Sequence, residues 1–257
     1  MLKKRIIPVL LIKNKTLIKD KQFAKNRRVG SLLPAIKIYN NRQVDELILL
    51  DIQATNNNRC IDASLINEIS KSAFFPFCVG GGINNCESIK NLLAAGADKV
   101  SINTAAYENI SFIKSAVSQF GSQCIIISID VKKIHNEYFC FSHCGTKNTG
   151  YKLTDWLKII DTLNVGELLI TSIDHDGTMI GYDKDLIQIM NEQSNIPFII
   201  SGGCSSYEDM SWVFNNCDAN AVAASSIFHF TRQTPLEAKK YLLKKNIKVR
   251  PVFIVNE

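Results

Sequence analysis

Two glycine runs lie 121 residues apart, "PFCVGGGI" from Pro76 and "PFIISGGC" from Pro197. Glycine lets a backbone come close to a ligand and aim successive N–H groups at an oxyanion. Each run has a downstream companion of small and hydroxyl residues, "INTAA" (102–106) and "AASS" (223–226). One such pair is an ordinary turn. Two pairs at matched positions point to two phosphate sites and so to a substrate with a phosphate at each end. The candidate contacts are Gly81, Gly82, Asn103 and Thr104 in one half. In the other they are Gly202, Gly203, Ser225 and Ser226, joined by Asp176 and Gly177 of "SIDHDGT". Between them in the chain, "CIIISIDVKK" carries Asp130, a candidate general acid or base if partial burial raises its pKa. A strand-end Asp bonded to a loop N–H is an equal alternative. The earlier counterpart of that segment, "KRIIPVLLIKN", has Leu11 at the matching place.

These residues need elements to hold them. Continuously apolar runs at 5–12, 46–52, 76–81, 97–103, 124–131, 166–172, 197–202 and 219–225 read as strands buried on both faces. Between and after them lie segments with apolar residues at i, i+3 or i+4, several opening on Asn, Asp, Ser or Thr. Eight βα units in 257 residues predict one (βα)8 TIM-barrel domain. Active sites of such barrels lie at the C-terminal strand ends. That rule adds Asp51, Gly80, Ser101, Ile102, Thr171 and Asp174 to the residues above. "VDELILLDI" and "VGELLITSID" are again 121 apart, from Val44 and Val165, so the reading is two four-unit half-barrels, about 1–121 and 122–257. The segment 133–145 reads as a small hairpin after the fifth strand.

Composition narrows the partners. The hydrophobic share is 46% and the net charge +6. The basic stretch 13–28 reads as a loop, either solvated or meeting an anionic substrate. Aromatic interleaving is too thin for nucleic acid. No run is long enough to span a membrane, and the basic, apolar start lacks a signal-peptide cleavage site. Eight cysteines without a C-x-x-C pair and four scattered histidines predict reduced thiols in the cytoplasm and no metal site.

"KRII", "VDELILLDI", "VGGGI", "GADKVSINTAA", "FGSQC", "NTG", "GELLITSID" with "DGT" and "GYD", "SGG" and "FHF" together resemble HisF, the cyclase subunit of imidazole glycerol phosphate synthase. The likeness covers essentially the whole chain. It implies a partner, a HisH-like glutaminase docked on the N-terminal face, and ammonia passing through the barrel to a doubly phosphorylated ribulosyl substrate. No cofactor is implied. By the same resemblance Arg5, Glu46, Lys99 and Glu167 form an ammonia gate, Asp98 faces the glutaminase, and Lys19 is the active-site loop lysine. The family uses two aspartates for proton transfer. The second matches Asp130, and the first falls on Leu11, which carries no proton. That departure resembles a paralogous branch linked to surface-polysaccharide genes, whose members pass ammonia to a sugar amidotransferase to make acetamidino groups. An ammonia-channelling role of that kind is the expectation, with a histidine-pathway cyclase as the alternative.

Overall fold

The computed structural model describes residues 3–24 and 27–251. Eight parallel strands close into a barrel: β1 (Arg5–Lys13), β4 (Leu47–Asp51), β5 (Phe77–Gly80), β6 (Lys99–Ile102), β7 (Ile125–Ile134), β10 (Glu167–Ser172), β11 (Phe198–Ser201) and β12 (Ala221–Ala224). The ring is shut by β1 against β12 and by β7 against β10. Strands β2 (Thr16–Lys19), β3 (Arg27–Ser31), β8 (Glu137–Ser142) and β9 (Lys147–Lys152) are additions at the mouth. No helix among the described residues is long and apolar enough to cross a membrane.

The helices follow the apolar spacing of the sequence. In Leu153–Asp161 the buried residues are Leu153, Trp156, Leu157 and Ile160, one stripe laid on the sheet. Side-chain caps start several helices: Asp62, Asn85, Asn109, Asp183, Ser206 and Thr234 each accept a first-turn N–H. Two short helices, Thr104–Glu108 and Ser226–Phe230, were not legible in the apolar pattern.

The basic stretch 13–28 is not simply a loop. Leu11 pairs with Ile18 and Lys13 with Thr16 across a two-residue turn at Asn14 and Lys15, both with positive φ (49° and 59°). That is the turn whose twist suits a tight hairpin, and Asn is favoured there. His135 and Asn136 make the same turn between β7 and β8 (φ 48° and 65°). The first strand of each predicted half thus continues into a hairpin over the mouth. The insert after the fifth strand is larger than expected, running through β8 and β9 to Lys152.

The barrel interior divides into three levels. Ile7, Val9, Leu11, Ile48, Cys78, Ile126, Leu169, Ile199, Ala221 and Ala223 fill the middle as one buried apolar cluster. Charged side chains lie below it and polar ones above. At the lower end, buried Asp45 accepts the Ile6 N–H (3.1 Å) and pairs with buried Lys239 (2.9 Å), which also donates to the Gln43 carbonyl (2.9 Å). A buried charge left unpaired is strongly destabilising. Asp45→Ala is therefore expected to lower unfolding free energy by about 3–5 kcal/mol, measured as a fall in the urea midpoint.

Candidate active site

The C-terminal strand ends surround a cavity of about 520 Å³. Its wall includes Leu11, Lys19, Asp20, Asp51, Arg59, Asn103, Asp130, His143 and Asp176, together with Gly81, Gly82, Gly202 and Gly203.

The two glycine turns have the same construction. Gly81 and Gly82 have φ of 128° and 65°, and Gly202 and Gly203 of 96° and 100°. These are conformations that favour glycine. A Cβ on Gly82 would run into the Arg59 carbonyl, and one on Gly203 into the Gly181 carbonyl. The Gly81 carbonyl accepts from Ile61 N (2.9 Å) and the Gly203 carbonyl from Gly181 N (2.8 Å). The next two strands end alike as well. Asn103 (φ −113°, ψ −85°) and Ser225 (φ −129°, ψ −67°) both open a short helix that no side chain caps. Ser101 Oγ, Asn103 Oδ1, Ser225 Oγ and Ser226 Oγ are buried without a protein hydrogen-bond partner. Buried polar atoms are rarely left so unless something else satisfies them. The Thr104 hydroxyl accepts from His143 N (3.1 Å), tying the β8–β9 hairpin to the first of these ends. The geometry suits two anionic groups held by backbone N–H and hydroxyl donors.

Asp130 faces the cavity. Its partner is the Asn103 side-chain amide (3.0 Å), with no loop N–H among the described residues. Burial pushes its pKa up to about 7, with Asp176 and then Asp20 adding to the effect. Thr171 lies beside it on the neighbouring strand, as Leu50 lies beside Leu11. Leu11 and Asp130 therefore have corresponding neighbours, and Leu11 is packed into the apolar cluster of the interior. Asp174 is engaged elsewhere, accepting from Lys133 N (2.9 Å).

Lys19, at the end of β2, is buried and pairs with Asp176 (2.7 Å) and more loosely with Asp20 (3.6 Å). The hairpin leans on the loop after β10: Gln22 N donates to the Asp176 carbonyl (2.8 Å), and the Asp20 carbonyl packs against Gly177. Asp51 is held by Arg59 (2.7 Å) and by Gln53 N (3.0 Å). Arg59, beside Gly82, and Asp20 were not among the sequence candidates. The single signal for either was charge in a loop after a strand.

Arg5, Glu46, Lys99 and Glu167 meet at the opposite end of the barrel. Arg5 pairs with Glu46 (2.5 Å) and Glu167, and Lys99 with Glu46 (2.9 Å) and Glu167 (3.2 Å). Burial works against both cations, but the two glutamates outweigh it and hold them firmly charged. Asp98 is exposed next to this ring, and its carboxylate accepts from Phe77 N (2.9 Å). The eight cysteines are unpaired, and no group of three or more potential metal ligands occurs among the described residues.

A closed (βα)8 barrel with paired glycine turns at its mouth and a ring of four charges at its floor defines the class of fold. The sequence profile described as "Histidine biosynthesis protein" matches residues 5–234. The imidazole glycerol phosphate synthase subunit HisF of Natranaerobius thermophilus is 43% identical over 250 residues, covering 97% of this chain and all of that protein. The HisF subunits of Dehalococcoides mccartyi and Lactococcus lactis are each 40% identical, covering 97% of this chain and 99% and 97% of their own lengths. The chain belongs to the HisF family of histidine biosynthesis proteins.

The shift at Asp130 carries a sign. Its folded pKa lies above the ordinary carboxylate value, so the folded state binds more protons between about pH 4 and about pH 7. That contribution is fully present below the unfolded pKa and is lost as pH rises through about 7. Asp130→Asn removes the titration. Its melting temperature relative to the parent is expected to be higher at about pH 8 than at about pH 5, measured by thermal melts in matched buffers.

Proposed function

We propose that this chain is the synthase barrel of a glutamine-dependent complex. It takes ammonia at its floor and adds it to a bis-phosphorylated substrate at its mouth, in the reaction of imidazole glycerol phosphate synthase. The observation that carries this reading is the matched pair of mouth ends, Gly81–Gly82 with Asn103 and Gly202–Gly203 with Ser225 and Ser226, where Asn103 Oδ1, Ser225 Oγ and Ser226 Oγ are buried without a protein partner. They suit the two ends of one substrate, and the shared construction supports the two-half-barrel organisation. Gly177 and Asp176 border the second end, and Lys19 closes over it.

The named relatives are subunits, and a HisH-like glutaminase is the partner we assign. Asp98 lies on the exposed rim where that partner would dock. The ring of Arg5, Glu46, Lys99 and Glu167 is the entrance. A neutral ammonia molecule can cross the apolar interior above it, whereas a charged ammonium ion is held back by desolvation. At the mouth, Asp130 serves proton transfer with a pKa matched to neutral pH. Attack of ammonia on a carbonyl needs proton transfer and no redox group, so no cofactor is assigned. The unpaired thiols fit a cytoplasmic setting.

Leu11 supports a second reading. Its apolar seat removes one of two expected carboxylates, and the barrel then passes ammonia to a separate sugar amidotransferase, yielding an acetamidino group on a surface polysaccharide precursor. Purified chain, given ammonium salts and the ribulosyl bis-phosphate substrate of the family, separates the two. The synthase reading expects turnover, with Asp130→Asn lowering kcat by about 10²–10⁴. Gly82→Ala and Gly203→Ala are expected to raise KM for that substrate. Absence of turnover, with ammonia reaching a sugar acceptor, would establish the second reading.

A further inference from the structure

Leu11 leaves Asp130 without the partner acid that a two-step proton transfer needs, yet the mouth holds another carboxylate. From β1 the chain runs past Leu11, turns at Asn14 and Lys15, and comes back. Ile18 pairs with Leu11, so β2 returns the backbone to the depth of Leu11, and Asp20 follows two residues on. Asp20 is 7% exposed and lines the cavity. Of the other carboxylates of this wall besides Asp130, Glu108 is exposed and two are occupied. Asp51 is tied to Arg59 and Gln53 N, and Asp176 to Lys19 at 2.7 Å. Asp20 has an oxygen, Oδ1, that is buried and accepts no hydrogen bond among the described residues, with the Lys19 ammonium 3.6 Å away.

We propose that Asp20 supplies, from the hairpin, the second proton-transfer carboxylate that Leu11 lacks, working with Asp130 on the same substrate. The inference rests on the synthase reading above. Ammonia adds to the substrate ketone, the C–N bond forms, and a proton passes from nitrogen to the carbonyl oxygen. The hydroxyl so formed takes a proton from one carboxylic acid, the C–O bond breaks and water leaves. The other carboxylate removes a proton from nitrogen to give the neutral imine. One acid has then lost a proton and one base has gained one, and exchange between them restores the pair. The surroundings suit a pair that shares a proton. Burial raises the Asp20 pKa against the opposing pull of Lys19, with Asp176 adding to the rise. The charge of Asp20 bears in turn on Asp130. Two carboxylates held in one enclosed site resist ionising together.

The test uses the full-length chain with ammonium as nitrogen donor, so that docking of a glutaminase does not enter. Asp20→Asn is isosteric and is expected to lower kcat by about 10²–10⁴. KM for the bis-phosphate substrate should change no more than about threefold, and one limb of the pH–rate profile should disappear. Leu11→Asp in the Asp20→Asn background is expected to recover most of the lost rate by returning a carboxylate to the strand. Parent-like kcat in Asp20→Asn, or a change confined to KM with no recovery by Leu11→Asp, would overturn the proposal and leave the synthase reading standing. An inactive parent chain would overturn both.

Discussion

A closed barrel must fill its own interior, and in this chain the bottom of that interior holds four charges. Two cations and two anions, three of them on β1, β6 and β10 and Glu46 just before β4, neutralise one another there. Any one of them alone would be a severely destabilising buried charge. Pairing in a ring, they can sit under an apolar plug without breaking the sheet. The register of the strands that carry Arg5, Glu46, Lys99 and Glu167 is thereby constrained. That same register fixes which residues reach the other end. Those strands pair with β5, β7 and β11, so the floor shares one ladder with the strand ends that carry Gly81, Asp130 and Gly202.

The mouth is built on the opposite logic. Its polar atoms are left partly unanswered, and its glycines keep backbone N–H groups accessible in conformations where a side chain would collide with a neighbouring carbonyl. Asp20, Asp130 and Asp176 share the enclosure, with Lys19 paired to Asp176 and close to Asp20. An enclosed site with more acid than base favours holding protons, which is what a reaction releasing water from carbon requires. The hairpin β1–β2 is central to this. It buries Lys19, delivers Asp20, and rests on the loop that carries Asp176 and Gly177.

Much of this is legible in the sequence. The eight strands were visible because parallel strands buried on both faces need unbroken apolar runs. The glycine turns were visible because they recur at a fixed offset. Leu11 drew attention for the same reason. The β1–β2 hairpin is not legible, since a two-residue turn of Asn14 and Lys15 inside a basic stretch reads as loop. The helices 104–108 and 226–230 are too short to show a 3.6-residue period. Asp20 and Arg59 escaped because nothing local distinguishes a buried carboxylate or an ion-paired guanidinium from a solvated one. Their settings depend on how the hairpin and the loop after β4 fold back over the mouth.

The central claim is that nitrogen travels from floor to mouth inside the barrel. The direct measurement supplies a HisH-type glutaminase subunit, the bis-phosphate substrate, glutamine carrying heavy nitrogen in its amide, and excess unlabelled ammonium in solution. The isotope content of the imidazole product is then read by mass spectrometry. Passage through the interior predicts product labelled well beyond the solution ratio, with the excess lost when Glu167 is replaced in the floor ring. Product whose label simply mirrors the mixed ammonium pool would contradict the account.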